Sequence, residues 1–261
     1  MGYSVLSSTE VEQFMESGYL LLREAFPREV AAQGRAVLWR EFGLDENDPA
    51  TWTKPYVRLE RGYSDPPFSH AFTPRVLGAY DDLLGRGRYE PPTSLGGWPA
   101  TFPGFATAPW QAPEAGWHVD GIQFHHHIDS RVQGLLPIFL FSDIAPESGG
   151  TCIRPGSHKV TARILADAEP EGLDVHTLAR LVTEQAKLPA LEMTGNAGDV
   201  ALLHPFMLHA ASLNTGTSVR FICNPCISLH EPMNLAREDE ADYSPLERSI
   251  VNALAQSAVA A

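Results

Sequence analysis

Between Gly96 and Leu229 the apolar residues come in short runs cut by Gly, Pro, Asn and Asp. The runs LLPIFLF (135–141), GTCIR (150–154), LPALEMT (188–194), VALLHPFMLH (200–209) and VRFICNPCI (219–227) have the length and the branched or aromatic content of strands. Parallel strands need a helical crossover between them, and only one helical pattern, at 174–185, interrupts this region. The strands must therefore close on one another as a sandwich or barrel, and 21 prolines with 21 glycines supply the turns.

Helices flank this β region. Thr9-x-x-Glu12 reads as a capping box for a helix carrying Val11, Phe14 and Met15 and stopping at Gly18, and YLLLRE (19–24) then reads as a strand. Pro27 opens a second helix with Val30, Val37, Leu38 and Phe42 on one face, ending at Gly43. Thr73-Pro74 opens a third, which buries Val76, Leu77, Tyr80, Leu83 and Leu84 before Gly85. A last capping box, Ser244 with Glu247, precedes Ile250, Val251 and Leu254. The expected organisation is one domain: a mostly helical scaffold at 1–95, a β core at 96–229, and a tail with a helix at 230–261.

Charge excludes some partners. With 19 basic against 32 acidic side chains, the net charge of −13 repels nucleic-acid phosphates and anionic membranes. No apolar run reaches membrane-spanning length, and MGYSVLSSTE lacks the basic and apolar regions of a signal peptide. Leu6 stands where a myristoylation signal needs Ser or Thr. A cytoplasmic protein is expected, with no nucleic-acid or membrane partner; nothing in the sequence specifies an oligomeric state. Three cysteines make no disulfide framework, and Cys223-x-x-Cys226 continues a strand-like run instead of opening a helix, so reduced, packed thiols are expected.

The chemistry concentrates in GWHVDGIQFHHHIDSR (116–131), which holds two H-x-D triplets, His118-Val119-Asp120 and His127-Ile128-Asp129. Residues i and i+2 of a strand share a face, so either triplet can offer an imidazole and a carboxylate to one ion. A distant histidine would complete the two-His-one-carboxylate triad that leaves iron(II) with open positions. GDVALLHPFMLHAASLNTGTSVRF (198–221) offers His204 and His209. Their odd offset puts them on opposite faces of a regular strand, so only one can be the ligand. Arg220 follows in an apolar strand, where a guanidinium needs an anionic partner.

Four blocks, LSSTEVEQFMESGYLLLREAFP, WHVDG, PESGGTCIRPGSHK and the 198–221 segment, resemble the phytanoyl-CoA dioxygenase (PhyH) family of iron(II)- and 2-oxoglutarate-dependent oxygenases. The resemblance implies a mainly β fold with flanking helices, the double-stranded β-helix (jelly roll, cupin-like). It also implies His209 as third metal ligand, Asn214 in the turn after it, Arg220 on the far carboxylate of 2-oxoglutarate, and Ser212 as a hydrogen-bonding contact to that cosubstrate. The family's loop between its H-x-D and the next strand selects His118 and Asp120, because residues 121–133 then supply it. Gln123, His125 and His127 in that loop become candidates for the substrate wall, and His158 a turn-holding residue. The implied reaction, with O2, is hydroxylation of an unactivated C–H bond in a small metabolite or natural-product intermediate. Desaturation, epimerisation or ring closure on the same triad is the alternative, and a non-enzymatic binding module a more remote one. Halogenation is disfavoured by Asp120, which fills the position such enzymes leave for chloride.

Overall fold

Among residues 2–258, which the computed structural model describes, the apolar runs pair as antiparallel strands in two sheets. In chain order the elements are α1 (Ser8–Ser17), β1 (Tyr19–Leu22), α2 (Arg28–Phe42), β2 (Tyr56–Leu59), α3 (Pro74–Leu84), β3 (Trp98–Thr101), β4 (Leu136–Leu140), β5 (Cys152–Ile153), α4 (Ser157–Asp167), α5 (Val175–Gln185), β6 (Leu191–Glu192), β7 (Val200–Leu203), β8 (His209–Ala210), β9 (Arg220–Cys223) and α6 (Pro245–Ala258). The larger sheet runs β1-β7-β4-β9-β3-β2 and the smaller β6-β5-β8. This is the expected mainly β jelly roll with helices outside it.

Strand alternation explains why the inner strands of the larger sheet, β7, β4, β9 and β3, are buried on both faces. Leu136, Ile138 and Leu140 of β4 join Ala201, Leu203 and Ile222 in one cluster, which Ile153 and Met193 reach from the smaller sheet. Phe139 and Phe141 turn the other way, into a cluster with Phe14, Trp39, Phe68, Val76 and Phe221 under the helices. The first cluster lies inside the roll and the second glues the helices on. A side chain such as Phe139, with no exposed surface, contributes about 2 kcal/mol by burial alone.

Several elements differ from the sequence expectation. The α1 capping box is Ser7 with Glu10, not Thr9 with Glu12: the Glu10 amide donates to Ser7 Oγ at 3.2 Å, and the Ser7 amide to Glu10 Oε2 at 2.8 Å. Both pairs fit the motif, and the earlier one wins because Ser7 takes the extended backbone a cap requires (φ −75°, ψ 158°). The box at Ser244 and Glu247 forms as expected. Helix α4 was not anticipated; it starts from Gly156 with no side-chain cap. The 200–209 run is not one strand either. It breaks at Pro205, where the Met207 amide turns back to the His204 carbonyl at 3.0 Å, so β7 and β8 lie in different sheets. YLLLRE supplies the expected strand as β1, while β2, which was not anticipated, adds a second N-terminal strand to the larger sheet.

Of the cysteines, Cys152 and Cys223 are buried and Cys226 exposed, all three free. No helix is long and apolar enough to cross a membrane among the described residues.

Candidate active site

His118 and His209 meet across a single antiparallel bridge, exchanging both backbone hydrogen bonds at 2.9 Å. Directly opposed residues project to the same face, and the two rings stand with centroids 4.3 Å apart. Asp120, two residues beyond His118, points the same way. Its Oδ1 lies 3.3 Å from His118 Nε2 and 3.5 Å from His209 Nε2. One donor atom from each of the three falls within 4.8 Å of the others, the one such grouping of three or more potential ligands among the described residues.

The orientation of both rings suits a cation. His118 Nδ1 is 2.8 Å from the Gly116 carbonyl and His209 Nδ1 3.0 Å from that of Met207. A carbonyl only accepts, so each Nδ1 carries the proton and each Nε2 lone pair faces the triad centre. Burial alone would raise the Asp120 pKa, but the neighbouring imidazoles of His209 and His118 hold it well below the usual carboxylate range. Burial likewise opposes protonation of His118, which the Asp120 contact outweighs, so its pKa is raised. A negative, acceptor-only centre flanked by two aimed imidazoles is a donor set that fits a divalent metal.

The backbone around Asp120 is tied down. Gln133 Nε2 donates to the Asp120 carbonyl, and His126 Nε2 lies 3.1 Å from that of Gly121. Gly121 takes φ +124°, and a Cβ there would sit 2.4 Å from the Phe124 ring and 2.8 Å from His126, so only glycine fits. On the side chain, Asn224 Nδ2 approaches Asp120 Oδ2 at 3.4 Å.

Arg220 is buried, 2% exposed, between the two sheets. Its Nε donates to Thr101 Oγ1 on β3 at 3.0 Å and its Nη1 to Thr151 Oγ1, just before β5, at 3.4 Å. No carboxylate pairs with it among the described residues, and burial pushes its pKa down to about 10. A buried cation held only by two hydroxyls is expensive unless an anion joins it. This is an observation independent of the triad, and it fits a dicarboxylate cosubstrate.

The remaining sequence candidates divide. His204 is fully buried away from the triad, stacked on Phe14 with 5.9 Å between centroids, its Nδ1 accepting from the Phe206 amide at 3.1 Å. Its separation from His209 thus comes from the interruption of the strand at Pro205, not from strand parity. Ser212 donates to the Gly150 carbonyl at 2.7 Å, and Asn214 Nδ2 to those of Thr101 and Ser218, at 3.3 and 2.8 Å. Asn214 therefore locks the β8–β9 turn onto β3. His158 Nε2 reaches the Met15 carbonyl at 3.1 Å, joining α4 to α1. In the loop, Gln123 and His125 are exposed; His127 Nδ1 sits 3.2 Å from Glu169 Oε2. Buried His126 is the loop's anchor. Thr101, Thr151, Gln133 and Asn224 were missed from sequence. Only Asn224 had a signal: it stands four residues past Arg220, on the same face if the strand continues.

A family model for phytanoyl-CoA dioxygenase (PhyH) matches residues 14–222. No curated protein sequence matches the chain. Several solved structures share the fold. EctD from S. alaskensis with 2-oxoglutarate and 5-hydroxyectoine is 18% identical at a TM-score of 0.53, over 87% of this chain and 78% of that one. HygX from Streptomyces hygroscopicus with nickel, 2-oxoglutarate and hygromycin B is 17% identical at 0.50, over 85% and 87%. The epimerase SnoN in complex with Fe3+, alpha ketoglutarate and nogalamycin RO is 15% identical at 0.50, over 84% and 82%.

Proposed function

The chain belongs to the phytanoyl-CoA dioxygenase (PhyH) family of iron(II)- and 2-oxoglutarate-dependent dioxygenases, and on that premise we propose that His118, Asp120 and His209 hold its iron while Arg220 holds the far carboxylate of its cosubstrate. The observation that carries this reading is the convergence of two carbonyl-locked imidazoles on Asp120 Oδ1, in a roll that also buries a guanidinium without a carboxylate. The proposed reaction is hydroxylation of a C–H bond in a small metabolite or natural-product intermediate.

When bound, the iron supplies the oxygen chemistry, coupled to oxidative decarboxylation of 2-oxoglutarate to succinate and CO2. The chain's own residues do the rest. His118 and His209 arrive pre-oriented, so no rotamer freedom has to be lost on metal binding. Asp120 contributes charge and, fixed at its carbonyl by Gln133 and at its carboxylate by Asn224, keeps its place opposite the rings. Arg220, steadied by Thr101 and Thr151, offers a charge-assisted contact to an incoming carboxylate. Ser212 already spends its proton on Gly150, so its share in cosubstrate binding is to hold that wall in place. Gln123 and His125, exposed beyond the anchored Gly121 turn, are the loop residues free to meet substrate; His127 is engaged by Glu169.

The test is succinate formation from 2-oxoglutarate under air with iron(II), with anaerobic iron binding measured alongside. His118→Ala, Asp120→Ala and His209→Ala each lose both signals while keeping the wild-type melting transition. Unimpaired iron binding in His118→Ala contradicts the ligand assignment.

A further inference from the structure

We propose that Glu192 is a positioning residue for the cosubstrate: its carboxylate holds the turn at 147–150, on which both hydroxyls bracing Arg220 depend, and so sets the affinity for 2-oxoglutarate without touching it. This rests on the reading of Arg220 as the anchor of the far carboxylate.

The turn Glu147-Ser148-Gly149-Gly150 leads into β5 with its backbone folded back on itself, since Glu147 takes φ +66° and Gly149 φ +76°. Bends of this kind gather amides into a concavity that suits an anion. Glu192 supplies that anion from β6, where it stands directly opposite Cys152 of β5. Its Oε2 accepts from the Glu147 amide at 2.5 Å and its Oε1 from the Gly150 amide at 2.8 Å. Next to it, the Met193 amide donates to the Thr151 carbonyl at 2.9 Å. The turn and the residue leaving it are thus both clasped to β6.

From the turn the effect passes to Arg220 by two routes. The Gly149 carbonyl accepts from Thr101 Oγ1 at 3.4 Å, which draws the hydroxyl proton aside and leaves a lone pair for Arg220 Nε at 3.0 Å. Only glycine can come so close, because a Cβ at position 149 would lie 2.6 Å from that same Oγ1. One residue past the turn, Thr151 Oγ1 accepts from Arg220 Nη1 at 3.4 Å. Ser212 also ties the turn, by a neutral bond to the Gly150 carbonyl at 2.7 Å. The two bonds from Glu192 are charge-assisted and are the stronger tie.

A carboxylate this near a buried guanidinium has a second conceivable role, as its counter-ion. The Glu192 charge is felt at Arg220, yet no salt bridge joins the two among the described residues, and both carboxylate oxygens are committed to amides. Glu192 therefore pre-organises the guanidinium for an incoming anion and does not neutralise it. The two roles predict opposite signs. Removing a counter-ion tightens cosubstrate binding, whereas removing a support weakens it.

Calorimetric titration of 2-oxoglutarate into the iron(II)-loaded protein without oxygen tests this on Glu192→Gln, Thr151→Val and the double variant. Glu192→Gln sets an amide donor against a backbone amide. Affinity for 2-oxoglutarate then falls about tenfold, the worth of one charge-assisted hydrogen bond, while iron(II) affinity in its absence keeps the wild-type value. The double variant loses less than the product of the two single losses, because both changes reach Arg220 through one turn. Should Glu192→Gln fail to fold, Glu192→Ala, which places no donor against the turn, is read in its place with the same expectation. Unchanged 2-oxoglutarate affinity overturns the proposal, and tighter binding overturns it by making Glu192 the counter-ion. Losses that multiply in full, or a parallel loss of iron(II) affinity, overturn it by making the effect a general loosening. A wild-type protein that takes up no 2-oxoglutarate, or an Arg220→Lys variant of full affinity, sinks the underlying reading instead, and either is seen without any change at Glu192.

Discussion

Asn224 and Arg220 show how much of this site lies outside the three proposed metal ligands. Asn224 touches no metal position, yet it is the side chain that steadies Asp120 Oδ2. Partners of that kind are worth about 10–100-fold in metal affinity. Asn224→Ala is therefore expected to weaken anaerobic iron(II) binding by about tenfold or more, without changing the midpoint of thermal unfolding by more than a few degrees; unchanged affinity would make the contact incidental. At Arg220 the geometry matters as much as the charge, because two hydroxyls fix the fork. Arg220→Lys keeps a cation but forfeits the planar pair of donors, so the KM for 2-oxoglutarate should rise about 10–100-fold with kcat less affected. An unaltered KM would mean that the guanidinium is structural.

At the scale of elements, α6 is fastened by Glu247. Its carboxylate caps its own helix through Ser244 and accepts from Arg237, at 2.8 and 3.2 Å, and from Arg88, at 3.0 Å. Burial works against ionisation here, but the Arg237 contact and the backbone donors hold the pKa below the usual glutamate range. A depressed pKa means stability that is complete above the unfolded value and lost as pH falls through the folded one. Glu247→Gln should cost about 2–3 kcal/mol in urea unfolding at pH 7 and flatten the acid side of the stability profile; an undiminished acid limb would place the titration elsewhere. The helices were legible because caps and apolar periods are local: Gly43 and Gly85 end their helices, and Thr73 Oγ1 caps α3, as expected. Strand β3 was not, since WPAT holds a proline and draws its burial from neighbours distant in sequence. Helix α4 has no side-chain cap to announce it. His118, Asp120 and His209 were legible through motif order, whereas Thr101 and Thr151 are ordinary residues that acquire a role only when the two sheets bring them to Arg220.

For the molecule as a whole, the proposed site lies inside the roll, and a histidine pair is packed under the helices outside it. His158 of α4 and His204 beyond β7 lie with ring centroids 4.9 Å apart, beneath α1. Burial pushes His158 down to about 4 and His204 well below the ordinary histidine value. Neutral in the fold and protonatable when unfolded, they contribute stability that is full above about pH 6.5 and lost as pH falls toward 4. The loss from His158 is on the order of 3 kcal/mol. His204→Phe should be less stable at pH 7, since it strands the Phe206 amide, yet show a shallower decline between pH 6.5 and 4.5; an equally steep decline would exonerate the pair. Whether the reaction is hydroxylation or an alternative such as epimerisation depends on what the cavity holds beside the triad, so the metal position comes first. Crystals grown without oxygen in iron(II) and 2-oxoglutarate, measured at the iron absorption edge, decide it. One anomalous peak is expected between the Nε2 atoms of His118 and His209 and the carboxylate of Asp120, with the far carboxylate of 2-oxoglutarate on Arg220. A peak at His127 and Asp129, or a cosubstrate that leaves Arg220 untouched, would contradict it.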